Sequence, residues 1–327
     1  MTVPPPKETF AEDALAARAA GLEIAVLLPC LNEAAAIAEV VAGFRAALPT
    51  ARIYVYDNNS TDDTGAVAAA AGATVRREPR PGKGSVVRRM FADVEADLYV
   101  LADGDGTYDA SAAGALVRQM LGEELDFLNG ARVHDTEGAY RPGHRIGNYV
   151  LTRLVRVIFG RQLKDMLSGY KVLSRRFVKS FPAMSRGFEI ETELAVHALE
   201  LRMPMGETPT RYAERADGSA SKLRTVRDGV RILLLIMRLV KDERPFQFFG
   251  GAGLVLILAG LAVGAPVVLE FLQTGLVPRL PSAVLSVALV ILGVTTIFAG
   301  LTLDMVTYGR REIRRLFYLS VSRRAAP

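Results

Sequence analysis

Tryptophan is absent from the 327 residues, cysteine occurs once, at Cys30, and histidine only three times. A single cysteine excludes an internal disulfide and fits a reducing compartment. His134, His144 and His197 are spread without metal-ligand spacing, so they read as structural side chains. Residues 1–22 lack an apolar run and carry Lys7, Glu8, Glu12, Asp13 and Arg18. No secretory signal is expected there, and the domain that follows is expected to stay in the cytosol. Charge is missing from two stretches further on. Phe246–Leu269 and Leu280–Leu303 each run 24 residues without a charged side chain. About 20 helical residues cross a bilayer core, so each is expected to be a transmembrane helix. Gly250, Gly251, Gly253, Gly260 and Gly264 suit a membrane helix better than a soluble one.

What is present agrees with that reading. Half of the residues are hydrophobic and the formal net charge is +5, a balance that suits phosphate-rich partners or an anionic membrane face. Lys222, Arg224, Arg227, Arg231, Arg238, Lys241 and Arg244 precede the first apolar run, and Arg310, Arg311, Arg314, Arg315, Arg323 and Arg324 follow the second. The connector carries only Glu270 and Arg279. The positive-inside rule therefore predicts both ends in the cytoplasm and the connector outside. Between residues 223 and 245 charges recur at helical spacing against Val226, Val230, Leu233, Ile236, Met237 and Val240. That pattern predicts an amphipathic helix in the membrane interface, with an ordinary surface helix as the alternative. A weaker pattern of the same kind runs from Arg145 to Lys164.

The first 130 residues alternate strand and helix signals. Ile24–Leu28, Arg52–Asp57, Thr74–Arg77 and Leu98–Ala102 read as strands, with helices from about Glu33 to Leu48, from about Asp62, and ending near Val94. Alternation of this kind predicts a mainly parallel sheet covered by helices, with ligands beyond the carboxyl ends of the strands. Three polar clusters fall there: Pro29–Glu33, Asp57–Thr64 and Asp103–Asp109. Asp103-Gly104-Asp105 puts two carboxylates at a strand end, which suits a hard divalent cation; an acidic surface turn is the other reading. A calcium-hand loop is excluded, because its sixth position would be Tyr108 and its twelfth Gly114. Gly82-Lys83-Gly84-Ser85 lacks the phosphate-loop spacing and on its own reads as a flexible turn.

Together these segments resemble family 2 glycosyltransferases. Pro29-Cys30-Leu31-Asn32-Glu33 is similar to the PxxNE opening, Asp57–Thr64 to the DDGSxDxT nucleotide loop, and Asp103-Gly104-Asp105 to the metal-binding DxD. Asp165–Lys171 resembles the DxxSGF[RK] segment, and Arg215–Lys222 the RxxGxSK segment, of the polyprenyl-phosphate, dolichol-phosphate-mannose synthase-like branch. Asn58 and Asn59 depart from the usual Asp-Gly, and Tyr170 and Lys171 from Phe-Arg. Lysine offers a point charge where arginine offers a fork.

The resemblance implies an α/β GT-A catalytic domain over 22–222 after an extension at 1–21. The interfacial helix (223–245), a two-helix anchor (246–305) and a basic cytoplasmic tail (306–327) would follow. It implies an inverting transfer from a UDP- or GDP-linked sugar to a polyprenyl phosphate of undecaprenyl or dolichyl type. The catalytic domain and both termini would lie on the cytoplasmic side of a bacterial-type inner membrane. Asp103 and Asp105 would hold Mg2+ or Mn2+, with Asp165 a third catalytic acid, either a base or a structural group. Pro29, Asn32, Glu33, Asp57 and Lys83 would bind the donor nucleotide, and Ser168, Lys171, Arg215, Ser219, Ser221 and Lys222 the phosphate or acceptor. Nucleic acid is not an expected partner, and a homo-oligomer is left open. The alternatives are another membrane transferase of the family, making a glycolipid or polysaccharide, and an inactive scaffold. Processive synthases resemble one another in a QxxRW motif and in having more spans, which the absence of tryptophan and two spans count against.

Overall fold

The computed structural model describes residues 21–134, 163, 165–185, 187, 189–213, 237, 241 and 244–322. The N-terminal extension, the Arg145–Lys164 pattern, the whole Arg215–Lys222 segment and nearly all of the 223–245 stretch lie outside the described residues. The chain divides into two units, Met1–Gly229 with Arg314–Pro327, and Val230–Ile313.

The first unit is built on a seven-stranded sheet. Its strands are β1 (Ile24–Cys30), β2 (Arg52–Asp57), β3 (Thr74–Arg77), β4 (Leu98–Leu101), β5 (Phe127–His134), β6 (Lys171–Ser174) and β7 (Met205–Tyr212), in the order β3-β2-β1-β4-β6-β5-β7. All pairings are parallel except those of β6, which runs against both β4 and β5. Between the strands lie α1 (Ile37–Ala47), α2 (Thr64–Ala70), α3 (Lys83–Asp93), α4 (Ala113–Gly122), α5 (Arg175–Ser180) and α6 (Ile190–Glu200). The apolar runs become strands because both faces of the central sheet are covered: Val26, Leu27, Leu28, Val100 and Leu101 are wholly buried. Helix α1 buries Ile37, Val40, Val41 and Phe44, a stripe at three- and four-residue steps.

The mainly parallel sheet matches the expectation, and β2 and β3 have the expected bounds. Helix α1 starts four residues later than read, because the Glu33 carbonyl first accepts from the Ala36 and Ile37 N–H groups in a turn. The reading of Gly82–Ser85 as a flexible turn is corrected. Lys83 is the first residue of α3, and the Gly82 carbonyl accepts from the Ser85 and Val86 N–H groups.

The second unit contains α7 (Pro245–Thr274) and most of α8 (Leu280–Ser320). Both are long and apolar enough to cross a membrane, and no more than 17% of either apolar window is buried, unlike the core helices of a soluble domain. They meet through small residues. A Cβ on Gly253 would lie 2.6 Å from the Gly293 carbonyl, and the Ser286 hydroxyl donates to the Gly260 carbonyl. Such contacts let two backbones approach closely.

Helix α8 continues well past the apolar run. The tail expected from residue 306 is helical to Ser320, and its end belongs to the first unit. There Arg314 pairs with Glu200 at 2.6 Å, the Tyr318 hydroxyl donates to the buried Asp126 carboxylate, and Arg176 donates to the Val321 carbonyl. Arg176 and Arg315 both lie over the Tyr318 ring. Asp126 precedes β5, so this contact lies at the end of the sheet away from the carboxyl ends of its parallel strands.

Candidate active site

Strand register brings the polar clusters together. Cys30 at the end of β1 pairs with Asp57 at the end of β2. The two loops beyond are then laced by hydrogen bonds. Asn32, at a left-handed φ of 53°, accepts from the Thr61 N–H at 2.7 Å and donates its own N–H to Ser60. The Glu33 N–H donates to Thr64 and the Ala34 N–H to Asp62. Asp57 accepts from the Ser60 N–H. Pro29, Asn32, Glu33 and Asp57 therefore share one platform, with Glu33 buried and Asn32 exposed.

Asn58 and Asn59, the departures from Asp-Gly, have their own work. The buried Asn58 amide donates to the Glu78 and Arg80 carbonyls and accepts from the Gly82 N–H, all at 2.8 Å. Asn59 donates to the Pro79 carbonyl. These amides hold the segment that leads into α3 and Lys83. Their side chains are thereby engaged with backbone.

Asp103 and Asp105 follow β4. Asp105 is buried and accepts from both the N–H and the hydroxyl of Thr107, which fixes the turn. The Asp103 side chain keeps 27% of its surface exposed. The glycine between them is a packing requirement, because a Cβ there would lie 2.3 Å from the Cys30 sulfur. Burial, reinforced by Glu33, Asp103, Asp57 and Asp105, pushes the Cys30 thiol well up. Four carboxylates thus converge on the carboxyl edge of the sheet.

The 165–171 segment closes against that edge. Its Gly169 N–H donates to the Tyr108 hydroxyl, and a Cβ on Gly169 would stand 2.6 Å from Asp103 Oδ2. Lys83 Nζ lies 2.5 Å from Asp103 Oδ1 and 2.5 Å from Glu191 Oε1. Burial alone would push the Lys83 ammonium down, but Asp103 and Glu191 reverse this and raise its pKa. Lys83 is a fixed cation beside Asp103.

Two expected roles need correction, and for Asp165 the contacts favour the structural alternative. Lys171 is completely buried, with Nζ on the Ser168 carbonyl and 3.2 Å from Glu191, so it cannot meet an acceptor phosphate in this conformation. Ser168 is buried too; its hydroxyl donates to the Gly130 carbonyl and accepts from the Tyr170 N–H, shaping a turn. Asp165 is held by two side-chain bonds from Arg132, at 2.7 and 2.8 Å, and by the Arg132 N–H. Burial would raise its pKa, but Arg132 overrides this and lowers it. A carboxylate so fully engaged is a poor base, and Asp165 instead anchors Arg132. Arg215, Ser219, Ser221 and Lys222 lie outside the described residues.

Glu191 and Arg132 escaped the sequence reading. Glu191 lies on α6 one residue after Ile190 and three before Leu194, an acid inside a buried helical stripe. An acid in that position was the available signal. Among the described residues no three His, Cys, Asp or Glu side chains converge into a closed metal cage. A part-exposed Asp103 beside a fixed Asp105 fits instead an open site for a hard divalent ion, which keeps places for substrate oxygens.

Comparison with known proteins agrees with this geometry. The family model of Glycosyl transferase family 2 matches residues 25–181. The glycosyltransferase AglJ of Haloferax volcanii is 34% identical over 291 residues, 88% of this chain and 95% of that protein. The low-salt glycan biosynthesis hexosyltransferase Agl6 of the same organism is 30% identical over 247 residues, 73% of this chain and 58% of that one. Glucosyl-3-phosphoglycerate synthase from Mycobacterium tuberculosis, solved with Mn2+, uridine-diphosphate and glucosyl-3-phosphoglycerate, is 26% identical with a TM-score of 0.57. The match covers 73% of this chain and 86% of that one.

Proposed function

The chain belongs to glycosyl transferase family 2, and from that premise we propose that it moves a sugar from a nucleoside-diphosphate donor to a polyprenyl phosphate at the cytoplasmic face of a membrane. One observation carries the reading: a part-exposed Asp103 two residues from a buried Asp105 at the end of β4, in a chain with two helices long and apolar enough to cross a membrane. The structural relative solved with Mn2+ and uridine-diphosphate supports a nucleotide-sugar donor and a divalent ion.

The platform of Pro29, Asn32, Glu33 and Asp57 receives the nucleoside. Asp103 and Asp105 would hold Mg2+ or Mn2+, and the ion would supply positive charge to the departing diphosphate. Lys83 stands ready as a fixed cation beside them. An oxygen of the lipid phosphate attacks the anomeric carbon as the bond to the diphosphate breaks, inverting the configuration. A phosphate monoester is already ionised near neutral pH, so the step needs little from a general base, in keeping with the engaged state of Asp165. Arg215, Ser219, Ser221 and Lys222, which precede the first span in the sequence, contact phosphate at headgroup depth. Both termini lie in the cytoplasm.

The test is purified full-length protein in nanodiscs with undecaprenyl or dolichyl phosphate, Mn2+ and radiolabelled UDP- or GDP-sugars. Label should pass into the organic phase, and EDTA should abolish the transfer. Label found only as free sugar, or only on 3-phosphoglycerate when that is added as a competing acceptor, would sink the lipid acceptor. Asp103→Asn and Asp105→Asn should remove metal-dependent turnover and leave the thermal unfolding midpoint in place.

A further inference from the structure

Four side chains of alternating sign run inward from the candidate site. Asp103, partly exposed at the cleft, contacts Lys83; Lys83 contacts Glu191; Glu191 contacts Lys171. The last three side chains are no more than 9% exposed, and Lys171 is fully buried. The charges of the four sum to zero. Only the Asp103 end faces solvent, so only there can the network exchange a partner.

Lys83 contacts two carboxylates at equal distance. To Asp103 it makes a hydrogen bond. Glu191 Oε1 lies at the same 2.5 Å, so the ammonium is shared between two carboxylates. Glu191 itself is steadied from behind, where Lys171 donates to its Oε2. Lys171 is in turn anchored on the Ser168 carbonyl. The rear of the network is fixed and its front is a single exchangeable bond.

A divalent ion on Asp103 would bring two cations onto one carboxylate. Like charges at contact distance repel strongly in a partly buried site. The ion carries the donor's diphosphate with it, an acceptor for the displaced ammonium. Resting on the glycosyltransferase reading above, we propose that Glu191 is a positioning residue: it retains Lys83 while the ammonium passes from Asp103 to the donor diphosphate as metal and donor bind. Before the donor arrives, Lys83 serves as the internal counter-ion of Asp103. Afterwards it is a phosphate ligand whose distance from the metal is set by Glu191. No covalent bond changes in this exchange.

The test uses the full-length protein in detergent and reads binding. Mn2+ affinity without nucleotide is measured from the free-ion electron paramagnetic resonance signal, and UDP affinity in saturating Mn2+ by calorimetry. Lys83→Met leaves Glu191 paired with Lys171. It should tighten Mn2+ alone by about threefold or more and weaken UDP by about tenfold, opposite signs that a merely structural lysine would not give. Glu191→Gln should weaken both, UDP by about fivefold or more, because Lys83 then collapses onto Asp103 and loses its tether. Bulk electrostatics predicts the reverse for UDP, since removing a negative charge favours an anionic ligand. Unchanged or tighter UDP binding by Glu191→Gln, or weaker Mn2+ binding by Lys83→Met, overturns the proposal. Glu191→Asp keeps the charge but shortens the reach, and should weaken UDP if Glu191→Gln fails to fold. Failure of both variants to fold would assign Glu191 to the fold alone and also overturn it. Wild-type protein that binds neither UDP nor GDP with Mn2+ would instead sink the donor reading on which this rests.

Discussion

Asn58→Asp is a sharp test of how this site is held, because it installs the residue commoner in the resembling family. The native amide donates to two carbonyls, Glu78 and Arg80, and accepts from the Gly82 N–H. A carboxylate keeps the accepting role and loses both donations. Each lost hydrogen bond costs about 0.5–1.5 kcal/mol net, and a buried acceptor left without a donor about 1–3 kcal/mol. Asn59 still reaches the buried Glu78 carbonyl, though at 3.4 Å, and Arg80 is exposed, so water can take up its carbonyl. The expected total is about 2 kcal/mol, or a fall of roughly 4–8 °C in unfolding midpoint for a unit of this size. Protonating the new carboxyl restores one donor, so the deficit should shrink as pH falls. With no tryptophan to report, unfolding can be followed by thiol-dye labelling of the buried Cys30. The 78–82 segment feeds α3, so Lys83 should lose its register and kcat/KM should fall with stability. A midpoint within 1 °C of wild type would show that the amide does not hold this segment.

Other outcomes follow from single contacts. Gly169→Ala places a methyl 2.6 Å from Asp103 Oδ2 and 3.1 Å from Lys83 Nζ; kcat/KM should drop at least about tenfold with a much smaller change in midpoint, and equal activity would refute the close approach. Burial, helped by Arg314, lowers the His197 pKa to about 3. Below the unfolded value near 6.5 the unfolded chain binds the extra proton, so stability should fall by about 2 kcal/mol from pH 7 to pH 5. In His197→Leu that part of the pH slope should vanish in denaturant titrations; an unchanged slope would place the titration elsewhere.

The strands, and the polar clusters that follow them, were legible because their signals are local. An apolar run of four to seven residues bounded by polar ones needs only its own sequence to be read, and β2 and β3 emerged with the expected ends. The carboxyl-edge position of Asp57 and Asp103 followed from strand direction alone. Gly82–Ser85 was misread because its helix is started by a partner 24 residues earlier, Asn58. Charge was legible as sign and not as pairing. Lys171 looks like a phosphate ligand until Glu191, 20 residues on, is seen to claim it. Asp165 can be read as a base or a structural group until Arg132, 33 residues back, fills both its oxygens. Arg314 looks like part of a membrane-facing belt, yet its partner is Glu200, 114 residues away.

These misreadings have a common physical cause, and it separates two kinds of motif residue. A charged side chain can be buried only when a counter-charge or hydrogen bonds offset its desolvation. Motif residues that shape the scaffold therefore come with such partners, and the partner uses up the capacity that a ligand would need. Lys171 and Asp165 are of this kind. Asp103 differs from both: it is a quarter exposed, with Lys83 on one oxygen. Lys83 in turn is shared with Glu191, so its hold on Asp103 is divided between two carboxylates. A shared cation at an exposed carboxylate can be exchanged at far lower cost than a buried, exclusive pair can be broken. Resemblance to a family locates both kinds of residue equally well. The pairing in the folded chain distinguishes those that build the cleft from those left to meet a substrate.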